Sequence, residues 1–180
     1  MSPHVSFGYE TMSSPLGELS IVEGPEGVVA IELSASPSAR LRRRFTRHFG
    51  KVELAPRRGR AARQLAEYFA GRRRRFGLPL DLRLVTPFQQ RVLRALMDVP
   101  YGEIVSYGEL AQRVGRPGAA RAVGVVMRNN PLPIVVPCHR VAAADGSLGG
   151  FSAGLENKRR LHALEGVEAR PGGWAPKTRR

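Results

Sequence analysis

The chain has 180 residues, 42% of them hydrophobic, enough for one domain with a sizeable core or for two small lobes. Lys and Arg number 29 against 15 Asp and Glu, a formal charge of +14 carried almost wholly by Arg; an acidic polymer would answer that charge, and an arginine-rich composition would equally account for it. Apolar runs broken within a few residues by Arg, Gly or Pro argue against a membrane span, and the start MSPHVSFGYE, without basic or apolar leader regions, points to a soluble, cytoplasmic protein.

In chain order, GELSIVEGPEGVVAIEL holds two β-rich runs, over about 19–22 and 28–33, around a Gly/Pro turn, which predicts a hairpin. ARLRRRFTRHF places Leu41, Phe45 and Phe49 at spacing four and predicts an amphipathic helix. AARQLAEYFAGR predicts a second helix with Ala62, Leu65, Ala66 and Phe69 on one face and Gly71 as its stop. The runs LRRRF and RRRRF read as solvated faces, and GLPLDLRLV as a connector between lobes.

From Thr86 the signals sharpen. TPFQ supplies a Thr cap, Pro87 at the first helical position and Gln89 to complete a capping box, predicting a helix over 87–97 with Phe88, Val92 and Leu96 toward the core. SYGE repeats the box with Ser106 and Glu109, and the short helix it opens stops at Gly115. GRPG then turns into AARAVGVVMRNN, a small-residue helix ended by NNPLP. Two short helices around such a turn form a helix-turn-helix pattern, which many helical hairpins share. Ala119, Ala120, Ala122 and Gly124 permit close approach either by a nucleic-acid groove or by a packed helix, with Arg121 projecting from the strip. GGFSAG reads as a loop, LENKRRLHALEG as a final helix closed by Gly166, and VEARPGGWAPKTRR, residues 167–180, as a disordered basic tail.

The chemistry centres on IVVPCHRV. One cysteine excludes an intramolecular disulfide, and His4, His48, His139 and His162 are too scattered to suggest a metal site, so no metal is expected. Cys138 is either a small buried hydrophobe or a reactive thiol. A thiol attacks as its thiolate and needs a base or a nearby positive charge to ionise near neutrality. In an extended segment His139 points to the opposite face, so a water between the two is the easier geometry, and Glu165 is a candidate to orient the imidazole.

PCHRV, preceded by NPLPIVV and before that by PYGEIVSYGELA and AARAVG, resembles the active-site region of the O6-alkylguanine-DNA alkyltransferases, the methylated-DNA–protein-cysteine methyltransferases. The similarity runs over about 86–166, and GELSIVEGPEGVVAIEL with QLAEYFAGRRRRFGLPLDL resembles the family's N-terminal lobe. The resemblance implies a two-lobe α/β protein: a ribonuclease-H-like lobe with a small antiparallel sheet over 1–80, and a helical lobe with the helix-turn-helix over 86–166. It implies stoichiometric transfer of an alkyl group from O6 of guanine in double-stranded DNA to Cys138, by a cytoplasmic monomer that engages the minor groove and uses no cofactor.

The same resemblance assigns roles. His139 and Glu165 would draw off the thiol proton through water, Asn130 would hold the active-site turn, Tyr107 would protonate the departing guanine, and Lys158 would assist. Ser152 and Val141 would contact the flipped base, Met127, Pro133 and Phe151 would line its pocket, and Arg121 would fill the gap in the duplex. Ala119, Ala120 and Arg128 would contact DNA. Leu93 stands where many members carry Trp, Phe151 where Tyr is common and Ala153 where Gly is usual, the last stiffening the pocket loop. Three rival readings stand: a lesion binder without transfer, which the intact PCHR disfavours; a Cys-His hydrolase, for which no acyl-transfer pocket is recognisable and which leaves the basic helix-turn-helix unexplained; and a transcription regulator, which accounts for DNA binding and not for PCHRV.

Overall fold

The computed structural model describes residues 5–170 and 173–176. The chain divides into two compact units between Val85 and Thr86.

In the first unit, β1 (Val5–Ser14) pairs antiparallel with β2 (Gly17–Gly24), and β2 with β3 (Gly27–Glu32). The expected hairpin is β2–β3. Helix α1 (Ala39–Phe49) follows, and β4 (Val52–Pro56) joins β1 in parallel to complete the order β3-β2-β1-β4. Ser38 starts α1 by accepting the Leu41 amide at 3.1 Å. The helix buries Leu41 and Phe45 against Phe7, Val22, Val29 and Leu84, with the Phe7 and Phe45 rings edge to face at 4.8 Å.

Two expectations change here. Helix α2 (Ala61–Phe69) buries Ala61, Leu65 and Tyr68, not the face of Ala62, Ala66 and Phe69. Both sets have helical spacing, and the phase is set where the Glu23 carboxylate accepts the Ala61 amide at 3.0 Å, capping the helix start from β2. The segment 77–85 is no free connector. The Val28 amide donates to Pro79 O at 2.9 Å, the Asp81 amide donates to Val28 O at 2.8 Å, and Leu82, Leu84 and Val85 are buried, so the segment is part of the first unit.

The second unit opens with α3 (Pro87–Met97), whose Thr86–Gln89 capping box is formed. Next come β5 (Val105–Ser106) and α4 (Tyr107–Arg113), which is capped by the Ser106–Glu109 box and ends at Gly115, φ 70°. Helix α5 (Ala120–Arg128) completes the helical pair; β6 (Val141–Ala142) runs parallel to β5, and α6 (Leu155–Glu165) ends at left-handed Gly166. Beyond it, β7 (Val167–Arg170) pairs antiparallel with β8 (Gly173–Pro176), a hairpin where the composition suggested a disordered tail. The Gly/Pro-rich composition hid two anchors, Val167, 3% exposed, and Trp174, whose ring lies 5.0 Å from that of His162. Residues 171–172 and 177–180 of the expected tail lie outside the described residues. Among the described residues no helix is long and apolar enough to cross a membrane.

Candidate active site

The turn that carries the thiol is built by its own sequence. Asn130 accepts the Leu132 amide on Oδ1 at 3.0 Å and donates Nδ2 to Val136 O at 2.9 Å, tying both ends of the PLPIVV loop to one buried side chain. Leu132, Ile134, Val135 and Val136 are all buried, which explains the apolar run before the cysteine. Ile134 has φ 76°, a left-handed conformation that a β-branched residue adopts only when its surroundings impose it, at a cost of about 1–3 kcal/mol. Pro137, at φ −81° and ψ 64°, forms an inverse γ-turn closed by the Cys138 amide on Val136 O at 2.8 Å. Cys138–Arg140 is therefore a 3-10 turn and not the extended segment expected from the sequence.

Around this turn the second unit buries a connected set of ionisable groups. His139 Nε2 lies 2.8 Å from Glu165 Oε1, and Arg140 grips the same carboxylate through Nε and Nη2, both at 2.9 Å, while its Nη1 donates to Val99 O at 2.7 Å. The Gly102 amide adds a 3.0 Å bond to Glu165 Oε2. A side chain at Gly102 would put Cβ 2.8 Å from Glu165 O, and its φ of 79° independently favours glycine. Burial alone would push the Glu165 carboxyl up, but His139 and Arg140 hold it well below the usual carboxylate range, so it is ionised. Nε2 of His139 is then the protonated nitrogen, and Nδ1 is a buried lone pair with no hydrogen-bond partner among the described residues.

Burial lowers the His139 pKa despite its carboxylate, so the imidazole rests neutral. Burial likewise pushes the Cys138 thiol up, although the Asn130 side chain, the Lys158 charge and nearby backbone amides favour the thiolate. The resting pair is a neutral thiol beside a neutral base. Lys158, fully buried, donates Nζ to Val141 O at 2.6 Å and to Leu148 O, and burial brings its pKa down to about 8.

Arg140 and His162 complete the set, and the sequence reading assigned a role to neither. Arg140 stands inside the quoted motif, and an arginine within a buried apolar run requires a buried carboxylate, a signal that was there to use. His162 donates Nε2–H to His139 O at 2.6 Å, and burial lowers its pKa to about 4; sequence offered no sign that it would reach the turn that carries the thiol.

A cavity of about 590 Å³ adjoins this network in the same unit. Tyr107, Met127, Phe151 and Ser152 line it, together with Arg121, Gly124, Val125 and Arg128 of α5 and with Gly150. Tyr107 links cavity to thiol: burial and then the charge of a Cys138 thiolate both raise its pKa. Its hydroxyl packs against Gly149, where a Cβ would sit 2.7 Å from Oη. Val141 and Pro133, expected at the base pocket, are buried and do not line this cavity. Ala119 caps α5 and Ala120 begins it. The helix exposes Arg121, Ala122, Val125 and Arg128; Val125, 49% exposed, is an apolar lining residue of the cavity that the sequence did not single out.

A buried thiol with a carboxylate-oriented histidine, beside a cationic cavity on a helix-turn-helix, defines a thiol group-transfer protein that works on nucleic acid. Comparison with known proteins agrees. The model of the 6-O-methylguanine DNA methyltransferase DNA binding domain matches residues 87–167, and that of the family's ribonuclease-like domain matches residues 8–82. A methylated-DNA–protein-cysteine methyltransferase of Mycolicibacterium paratuberculosis is 44% identical over 162 residues, covering 87% of this chain and 91% of the relative. The constitutive methylated-DNA–protein-cysteine methyltransferase of Bacillus subtilis is 43% identical, with 80% and 86% covered. The crystal structure of Mycobacterium tuberculosis OGT in complex with DNA superposes with a TM-score of 0.76 at 40% identity, covering 89% of this chain and 93% of that one. The chain belongs to the 6-O-methylguanine DNA methyltransferase family.

Proposed function

We propose that this chain repairs DNA by direct reversal, with Cys138 taking the alkyl group from O6 of a guanine flipped into the cavity beside α5. The observation that carries the reading is the buried 2.8 Å pair of His139 Nε2 with Glu165: with Nε2–H given to the ionised carboxylate, Nδ1 of the residue next to Cys138 is left as a buried lone pair without a hydrogen-bond partner among the described residues. Through a water molecule that nitrogen takes the Cys138 proton as the sulfur attacks. The sulfur–carbon bond forms as the carbon–O6 bond breaks, and guanine leaves with the electron pair. Tyr107, kept protonated by burial, returns a proton to the departing base. Arg140 holds Glu165 ionised, Asn130 fixes the loop, and Lys158 ties Val141 to Leu148 while stabilising the developing thiolate.

Duplex chemistry at a base requires flipping, at a cost of a few kcal/mol. Arg121, on the exposed face of α5, fills the vacated stack, and small Ala122 and Gly124 let that helix approach a minor groove with little sequence reading. The product is a thioether without a leaving group for water or a second thiol, and the chain holds no other cysteine. Repair is therefore stoichiometric. With excess O6-methylguanine duplex, repaired guanine should plateau at one equivalent while the intact protein gains one methyl group on the Cys138 peptide. Cys138→Ala should abolish transfer and retain lesion binding. Product accumulating well past one equivalent, or transfer by the alanine variant, would overturn the assignment.

A further inference from the structure

Fifteen of the 29 Lys and Arg residues precede Thr86, in the unit that holds neither the thiol nor the helix-turn-helix. Helix α1 carries five of them and no acidic residue. Two are used internally: Arg42 Nε donates to Pro37 O at 3.2 Å and Arg44 Nη2 to Leu84 O at 2.6 Å. Arg40, Arg43 and Arg47 are exposed, on the side of the helix away from buried Leu41 and Phe45, and none pairs with a carboxylate among the described residues. Other arginines of the same unit do pair: Arg63 and Arg73 hold Glu67 at 3.2 and 2.7 Å, and Arg83 holds Asp81 at 2.6 Å.

The arrangement works against the helix that bears it. Arg40 with Arg44 and Arg43 with Arg47 are like charges one turn apart, which destabilises a helix, and Arg40 sits in a first turn without any acidic residue, at the positive end of the dipole. Burial, and after it the charge of Arg40, push the Arg44 guanidinium below its ordinary value. Compensation from within is partial: the Glu32 carboxylate accepts the Ser38 amide and hydroxyl at the helix start, and Arg47 lies in the last turn, where the dipole favours a cation. The like-charge pairs keep no carboxylate of their own among the described residues, which marks a surface whose counter-charge comes from outside. The three free guanidinium groups recur at intervals of three and four residues along about 10 Å of helix axis, given about 1.5 Å of rise per residue, a line of planar forks suited to successive phosphates.

We infer that Arg40, Arg43 and Arg47 form a second DNA contact, a stripe on α1 that binds the phosphate backbone of duplex irrespective of sequence or damage. The inference rests on DNA as the partner of this chain and adds a surface outside the alkyl-transfer unit. The test uses the full chain with Arg40→Gln, Arg43→Gln and Arg47→Gln combined, binding an undamaged duplex over a range of salt. Each lost phosphate contact should lower the slope of log affinity against log salt by about 0.9, so the triple variant should lose between about 2 and 3 in slope. Its reaction with free O6-benzylguanine, which needs no duplex, should be unchanged. The corresponding triple Lys variant, which keeps the charge, should retain most of the slope, and Arg63→Gln with Arg73→Gln, which removes paired arginines of the same unit, should leave it intact. An unchanged slope in the Gln triple would overturn the stripe while leaving alkyl transfer untouched. An equal fall in the Arg63/Arg73 variant would reduce it to net charge. Loss of binding to anionic lipid vesicles without loss of slope would assign α1 to a membrane surface instead.

Discussion

The two units bury different things. Within the described residues, the first unit buries Ser20 and Asp81 as its polar side chains and fills the rest of its core with groups such as Phe7, Val29, Leu41 and Phe45. The second buries Asn130, His139, Arg140, Lys158, His162 and Glu165. Charge taken out of water is expensive unless paired, and a hydrophobic set of similar volume commonly serves stability as well or better. The first unit follows that economy, whereas the second departs from it around a single cysteine. The difference teaches which interior follows the ordinary demands of folding: in the second, His139 and Arg140 share the Glu165 carboxylate while Lys158 and His162 bond to backbone carbonyls, all around the segment that carries the thiol.

The largest break in this comparison should come from Glu165. Glu165→Gln removes the charge that compensates Arg140, whose side chain is 7% exposed, and leaves an unpaired buried guanidinium. Such a loss costs about 3–5 kcal/mol, read as a fall in the urea midpoint at constant m-value. It should also slow methyl transfer at temperatures where the variant remains folded, because His139 loses the partner that fixes its tautomer. A fall below about 1 kcal/mol would show the network to be solvated and remove the contrast between the units.

A smaller effect comes from pH. The folded His162 has its pKa lowered by burial to about 4, against an ordinary value of 6.5. Between those values the unfolded chain takes up a proton that the folded one refuses, so the contribution of His162 is complete above pH 6.5 and is lost as pH falls toward 4. Stability should drop across that window by up to about 1.4 kcal/mol per pH unit from this group, with His139, lowered for the same reason, acting in the same sense. His162→Leu should flatten the dependence measured by thermal unfolding at pH 5 and pH 7. An unaltered pH slope would mean that His162 is protonated in the native state.

Local chemistry made much of this legible beforehand. The helices at Thr86 and Ser106 were readable because their capping boxes are complete within four residues, and α1 because Leu41 and Phe45 bury at the spacing that the pattern shows. Strands β1 and β4 were not, since VSFGYETMSS and VELAP lack a clean alternation and become strands by pairing with each other and, for β1, with β2. The phase of α2 depended on Glu23, 38 positions earlier, and the hairpin after Gly166 on Val167 and on a ring contact with His162, so no local window contained the answer. At the site, Cys138, His139 and Glu165 were reached by motif and resemblance. The left-handed Ile134 was not, because nothing in the residue type favours that conformation and only the closed loop imposes it.

The smallest expected effect sharpens the comparison most, because it sets one kind of ion pair in two environments. Arg83 grips Asp81 as Arg140 grips Glu165: Nη2 to Oδ2 at 2.6 Å and Nε to Oδ1 at 2.9 Å, with a carboxylate side chain 1% exposed in both cases. The cations differ, since the Arg83 side chain is 48% exposed, lying over the Phe49 ring at 5.0 Å, against 7% for Arg140. Removing Arg83 opens the Asp81 carboxylate to solvent, and the Arg83 backbone amide still donates to it at 3.0 Å. Removing Arg140 would take the guanidinium away from a Glu165 carboxylate that stays enclosed, with the neutral His139 and the Gly102 amide still beside it. Arg83→Gln should therefore cost about 1 kcal/mol or less, in the range of exposed pairs, and should leave the transfer rate unchanged. Arg140→Gln should cost several times more and slow the reaction. Equal costs, measured by denaturation under one set of conditions, would show that geometry alone sets the strength of these pairs and that burial of the cation adds nothing.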